Sequence, residues 1–468
     1  MYARPMPRLP VAIALLLVLT VPASADAARH RASTSRAGTL TQLSGTGGCV
    51  IDHTRPHGSC SGARALRGPG PFLGSEATKI SPDGRNVYVA SSNSNAIAIF
   101  QRNASTGVLT QLPGAGGCIA LGGADGCATG LGLEGPNSVA VSPDGKNVYA
   151  TSVKSDAVTT FQRDPSTGAL TQTTDGTGCV ANTATTGCTT GRALNGPDVV
   201  RVSPDGKNVY VGAFDGSAVA MLNRNATTGA LTQPAGTTGC LTLQATPNCA
   251  TGLALAAVEG LAISPDGANV YFAAAGSSAV GILTRNTSTG ALTQPGNGAG
   301  CIVNLAHTGC TTGRRISGAN AVTVSGDGKD VYATSLFSNT LTSFTRTSGS
   351  GLLTQQAGTA GCVISVIAVG CSLGHGFVAP EGLVVSPDGK NVYATSFTSG
   401  AVDVLNRTST GSVTQQGRTA GCIATARTHG CAHGRALKRV SSVAISADGK
   451  FVYVTANGSD AVSVLRRN

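Results

Sequence analysis

The chain has 468 residues, a formal charge of +11, only 12% charged residues, 64 glycines and no tryptophan. No helical periodicity persists along it, so an all-β protein is expected. Nucleic acid is not expected as a partner. It would need a basic stripe interleaved with aromatic stacking platforms, and seven of the eight tyrosines are tied to one repeat position.

In chain order, Arg4 and Arg8 precede an apolar run from Val11 to Val21, followed by small residues at Ala23-Ser24-Ala25. This order predicts a secretory signal peptide over 1–25, with a run too short to span a bilayer. Residues 26–36 read as a polar linker and 37–468 as the folded domain. Loss of the signal leaves a charge of +9, which favours anionic partners without naming one. No later apolar run approaches twenty residues, so no transmembrane anchor is expected and the mature chain is placed outside the cell or at the cell envelope.

A repeat governs the rest. Ser-Pro-Asp-Gly begins at Ser81, Ser142, Ser203, Ser264 and Ser386, with variants at Ser325 and Ser446; the spacing is 61 residues throughout and 60 at the last step. Within the second unit, Val139–Val141, Asn147–Thr151, Ala157–Gln162 and Ala169–Gln172 read as strands a to d, joined by Pro-Asp-Gly and Ser-Thr-Gly turns. Seven units of four antiparallel strands predict a seven-bladed β-propeller. The last unit lacks a d strand, and Gly38–Gln42 supplies one from the other end of the chain, closing the ring. Tyr88, Tyr149, Tyr210, Tyr271, Tyr332, Tyr393 and Tyr453 recur in strand b and are expected to pack between blades. The Asp of each turn is expected to cap that turn.

Every cysteine falls between a d strand and the next a strand. Seven local pairs follow: Cys49–Cys60, Cys118–Cys127, Cys179–Cys188, Cys240–Cys249, Cys301–Cys310, Cys362–Cys371 and Cys422–Cys431. An even count in an exported chain reads as disulfides rather than zinc ligands, since no CxxC spacing occurs. Strand alternation places these loops beside the b–c turns on one face of the disc, where function is expected. His53 and His57 in the first loop, with His429 and His433 at the seventh pair, form a conceivable but weak surface metal site, because loop histidines are usually solvated.

Five residues before each turn serine stand Glu76, Asn137, Asp198, Glu259, Asn320, Glu381 and Ser441. At the start of the innermost strand these polar groups should converge on the channel mouth. Such a ring would suit a hard cation such as Ca²⁺, and a tuned carboxylate in it would serve as a general base. The simpler alternative is a solvated polar ring, with Lys79 neutralising Glu76 and Arg201 neutralising Asp198. Arg64, Arg67, Arg192, Arg314, Arg315, Arg435, Lys438 and Arg439 would form a basic collar suited to an anionic ligand, with Arg192, Arg314 and Arg435 as the ligand-binding candidates. The free aromatics near this face are Phe72, Phe214, Phe337, Phe377 and Phe397, fewer than a sugar-stacking site usually carries.

The strings SPDGKNVYATS, AVTTFQRDPSTGALTQ and SPDGRNVYVASSNSNAIAIF resemble the lactonase-type β-propellers, which include 6-phosphogluconolactonase-like and YVTN-repeat proteins. The resemblance covers all seven units and implies a seven-bladed ring. It also implies a hydrolase opening or forming lactone rings with His, Arg and Glu at the channel mouth. Glu259 and Glu381 are then the candidate catalytic carboxylates, with Arg192 or Arg314 as anion clamps. No catalytic motif of that family matches residue by residue. The uniform repeats and stapled loops instead favour a secreted binding protein, expected to be monomeric, whose partner is an anionic envelope component, a glycan or a small anionic ligand.

Overall fold

The computed structural model describes residues 37–70, 76–426 and 430–468. The signal peptide, the linker, Phe72 and His429 lie outside the described residues. Seven sheets each come from one repeat, and the seventh joins the two ends of the chain. The protein is a seven-bladed β-propeller.

The blades are larger than the repeat grammar predicts. In the second blade, strand a is Pro136–Val141, b is Asn147–Ser152 and c is Ala157–Arg163. The expected d strand shrinks to Leu170–Thr171, which pairs only with the end of c at Gln162 and Arg163. The other half of that edge is covered by strand e, Cys179–Ala181, antiparallel to Ala157–Thr159. Strand f, Thr189–Thr190, then lies parallel to e. Six strands therefore replace four. The reason is physical: c is seven residues long, a two-residue d leaves half its polar edge open, and the β-branched residues flanking the cysteines close it. Instead of projecting from a face, the cystine segments extend the outer edge of each blade.

All seven expected disulfides are present, from Cys49–Cys60 to Cys422–Cys431, and none of the described cysteines is free. Each joins the base of e to the base of f. Seven disulfides point to an oxidising, extracellular compartment. No helix among the described residues is long and apolar enough to cross a membrane.

The core sits between blades. Val199, Tyr210 and Leu241 of the third blade, for instance, pack against Val258, Phe272 and Leu283 of the fourth. Each of the seven tyrosines is fully buried in such a seam, as expected. Ring closure is also as expected: Leu40–Gln42 pairs with Leu465–Arg467, and Cys49–Ile51 pairs with Ala461–Ser463.

A clasp that the sequence did not disclose locks the lower seam. The last residue of each c strand is arginine. Arg224 donates from Nε to the Tyr149 hydroxyl of the preceding blade at 2.9 Å, and from Nη2 to both carboxylate oxygens of Asp144 at 3.0 and 2.7 Å. The Tyr149 hydroxyl in turn donates to the Gly229 carbonyl at 2.9 Å. The same Arg–Tyr–Asp set recurs at every seam, and Arg102 with Tyr453 and Asp448 closes the circle. Each turn Asp also caps its own turn, Asp144 accepting from the Ser142 hydroxyl and the Lys146 amide. Burial opposes ionisation of these aspartates, but hydrogen bonds from the turn serine and the arginine outweigh it, holding Asp327 and Asp388 at about 2.

Candidate functional site: the bulge ring and the channel

The polar ring owes its position to a repeated backbone irregularity. Strand a pairs with b through Pro136–Ser152 and then Ser138–Thr151, so Asn137 is an extra, bulged residue. Equivalent shifts fall at Asp198, Glu259, Asn320, Glu381 and Ser441. A bulge re-aims one side chain out of the pleat, which explains why strand a is longer than its alternating residues suggest. These six side chains are buried, not solvated at an open mouth.

Three of them direct a polar group to the next blade. Asn137 donates its amide to the Asp198 carboxylate and, at 3.3 Å, to the Asp198 carbonyl. Asn320 donates to the Pro380 carbonyl at 2.9 Å and accepts from the Thr334 hydroxyl at 2.9 Å. Ser441 donates to the Pro69 carbonyl at 3.2 Å. Glu259 differs: it is 1% exposed and neither carboxyl oxygen has a hydrogen-bond partner. Gly260 makes this geometry possible, since a Cβ there would lie 2.8 Å from the Asn320 carbonyl oxygen of the adjoining bulge. Burial, and then the charge of Glu381, push the Glu259 carboxyl up to about 8. Burial, followed by the charge of Glu259, raises Asp198 well above the usual carboxylate range. At neutral pH the Glu259 carboxyl is therefore mostly protonated.

The expected acid–base pairs are rearranged. Lys79 does contact Glu76, but Arg201 also reaches Glu76 across the channel and leaves Asp198 to Asn137. The bulge at Asp198 explains this: it turns the carboxyl into the seam, while Arg201, further along the strand, lines the channel. Burial lowers the pKa of both cations, Lys79 to about 8, and the carboxylate lying against both offsets that cost. Around them a channel cavity of about 360 Å³ is walled by aliphatic a-strand residues such as Ile263, Val324 and Ile445.

Arg192, Arg314 and Arg435 of the basic collar are each held against the backbone of the next blade. Arg192 donates to the Pro234 and Gly236 carbonyls of the next blade at 2.7 and 3.3 Å. Arg314 donates likewise to Gln356, Gly358 and Gly370, and Arg435 to Leu43 and Gly45. The backbone at each of these positions is held by a glutamine from the next d strand, as when Gln233 accepts from the Arg192 amide and donates to its carbonyl at 2.7 and 3.0 Å. These glutamines end the recurring LTQ string, the one signal that could have revealed them. Larger cavities open along the rim between blades, one of about 650 Å³ beside Arg314 and Leu353 and one of about 580 Å³ beside His53, His57 and Arg64.

The histidines disperse. His53 Nε2 lies 3.1 Å from the Asp125 carboxylate of the first blade, and His57 Nε2 lies 3.2 Å from the His53 carbonyl. His433 is in strand f of the sixth blade. Among the described residues no three His, Cys, Asp or Glu side chains come together as a metal-binding group. The amides of Asn137 and Asn320 are committed to the adjoining blades.

A family model described as "Lactonase, 7-bladed beta-propeller" matches residues 128–186, about the span of one repeat. A candidate 6-phosphogluconolactonase from Bacteroides uniformis superposes with a TM-score of 0.51 at 19% identity, over 72% of this chain and 82% of that one. The chain resembles the lactonase-type seven-bladed propellers. A second lactonase-type candidate, from Bacteroides fragilis, gives a TM-score of 0.51 at 16% identity over 85% of this chain and 90% of its own. A protein from Lactobacillus plantarum gives 0.51 at 20% identity over 81% and 94%. At such identities the likeness to these solved propellers is one of fold. No curated protein matches the sequence.

Proposed function

We propose that this protein is a secreted binding propeller whose contact surface is the set of cystine-loop tips along the rim. The observation that carries this reading is where the blades differ. Clasps, glutamines, tyrosines and disulfides repeat seven times, whereas the segments between the cysteines diverge, from NTATTG at 182–187 to SVIAVG at 365–370. A constant frame with variable, stapled tips is the arrangement expected of a recognition surface. Grafting the 182–187 tip onto the fourth, fifth and seventh blades should abolish retention on isolated cell envelopes and on acidic glycans. Unchanged retention of a well-folded graft would sink the reading.

A lactonase-like hydrolase is the second reading, supported by the family match and by Glu259, a buried acid protonated at neutral pH. Its substrate would enter at the channel mouth. Hydrolysis of a panel of sugar and aliphatic lactones, lost in Glu259→Gln, would establish that activity and displace the binding reading. Calcium at the ring would require Asp198 and Glu259 to ionise and turn toward one point. A Ca²⁺ titration monitored by thermal stability tests this directly, and a rise that Glu259→Gln removes would place the ion there.

A further inference from the structure

We propose that the outer edge of the fourth and fifth blades docks onto an anionic lipid bilayer, with the Cys362–Cys371 loop entering the interface. The apolar residues that this protein exposes are concentrated there. Seven of the nine exposed large hydrophobic side chains among the described residues lie between Leu253 and Leu373. Within the fifth-blade loop, Val366, Ile367 and Val369 are 59, 92 and 101% exposed. Leu305, at the equivalent position of the neighbouring loop, is 77% exposed. The corresponding tip of the second blade is polar, Asn-Thr-Ala-Thr-Thr-Gly.

These residues form one surface. The Arg314 guanidinium donates to the Gly370 carbonyl at the foot of the loop, 3.3 Å away. Phe337, 69% exposed, packs over the turn that follows Arg314 and Arg315, its amide donating to the Ser317 carbonyl at 3.2 Å. The Ile316 amide donates to the Asn304 side chain beside Leu305 at 3.0 Å, which ties the fourth-blade loop to the same turn. Arg314 and Arg315 are exposed, and neither makes an ion pair with a described carboxylate.

Charge selects the occupant. From Gly252 to Pro380 the chain carries four acids: Glu259, Asp266, Asp327 and Asp330. Glu259 is buried in the bulge ring, and the other three belong to the clasps near the Pro-Asp-Gly turns, at the end of the blades away from the loops. The loop end of this sector is therefore basic and apolar with no acid. The first three blades expose Asp125, Glu134, Asp175 and Asp215. A convex aliphatic tip needs a deformable apolar medium, and two arginines at its foot match a layer of phosphate headgroups. The disulfide fixes both ends of the loop, so little ordering cost remains on insertion.

This inference rests on the loop tips being contact sites. The experiment is flotation of the oxidised protein with vesicles of phosphatidylglycerol and phosphatidylcholine, or of phosphatidylcholine alone. Binding to the anionic vesicles is expected, falling at least about tenfold in Ile367→Ser/Val369→Ser and weakening with salt. Arg315→Gln should lower it severalfold. Both changes lie on exposed side chains, and an unchanged melting temperature verifies the fold. Absence of flotation, equal binding to neutral vesicles, or indifference to the double substitution would overturn the proposal. So would a loop-dependent dimer in light scattering, which would make a second copy the occupant. Failed flotation with envelope retention intact removes this inference alone; lost retention or lactone turnover removes the broader one.

Discussion

The two ends of each inter-blade seam are built on opposite plans. At the Pro-Asp-Gly end, an arginine bonded to a tyrosine hydroxyl and a turn aspartate of the preceding blade recurs seven times. At the bulge end, the same backbone position carries Glu, Asn, Asp, Glu, Asn, Glu and Ser, and one of those acids is buried without a hydrogen bond. A position required only by the frame converges on one residue in every blade. A position that departs from that convergence, and carries an unmatched buried acid, is where a function-specific demand is to be sought.

Four measurements break or sharpen that contrast. The largest effect is expected from removing residues 37–43, which strips the Leu40–Gln42 pairing and a buried leucine from the last blade. A loss on the order of 5 kcal/mol is expected in urea unfolding. Next, Arg224→Ala leaves the Tyr149 hydroxyl, Asp144 and Asn147 without their shared donor and should cost roughly 3–5 kcal/mol. A cost below about 1 kcal/mol would reduce the clasp to a surface ion pair.

The third measurement uses pH. Glu259 has its folded pKa raised from 4.5 to about 8, so between those values the folded chain holds a proton that the unfolded chain has released. Its contribution therefore declines as pH rises through that window, by roughly 4–5 kcal/mol, and Glu259→Gln should flatten the decline. The clasp aspartates act in the opposite sense. With the folded pKa of Asp327 and Asp388 lowered from 3.8 to about 2, they stabilise at neutral pH, and that stability is lost as the pH falls through that window. The smallest effect belongs to Asn320→Ala, which removes one amide link between bulges and should cost about 1 kcal/mol without altering the pH profile.

Much of this architecture was legible in the sequence, because a turn string recurring every 61 residues is independent of tertiary context. The unpaired strand at each end disclosed ring closure, and one cysteine pair per repeat disclosed the disulfides. Arg224 and Gln233 stayed hidden, although each ends a recurring string, because their partners lie in neighbouring blades and no local pattern records an inter-blade bond. The split fourth strand was missed because Leu170–Thr171 and Cys179–Ala181 each pair with a different half of strand c. The bulge defeated the expected Arg201–Asp198 pair: one extra residue changes which way every side chain before it points, and nothing in alternation marks where it falls.

Joining the ends of the chain within one blade also sets an order of events during synthesis. The segment holding Leu40–Gln42 precedes everything it pairs with, since Thr41 accepts a hydrogen bond from Asn468, 427 residues later. A chain made from its N-terminus presents this strand first and satisfies it last. Until the last strands are made, both this strand and the face of the first blade that packs against the last one lack partners, which is the interval in which such a chain is most open to mispairing and proteolysis. Cys49 and Cys60 are only 11 residues apart, so their bond can form early and keep the waiting segment compact.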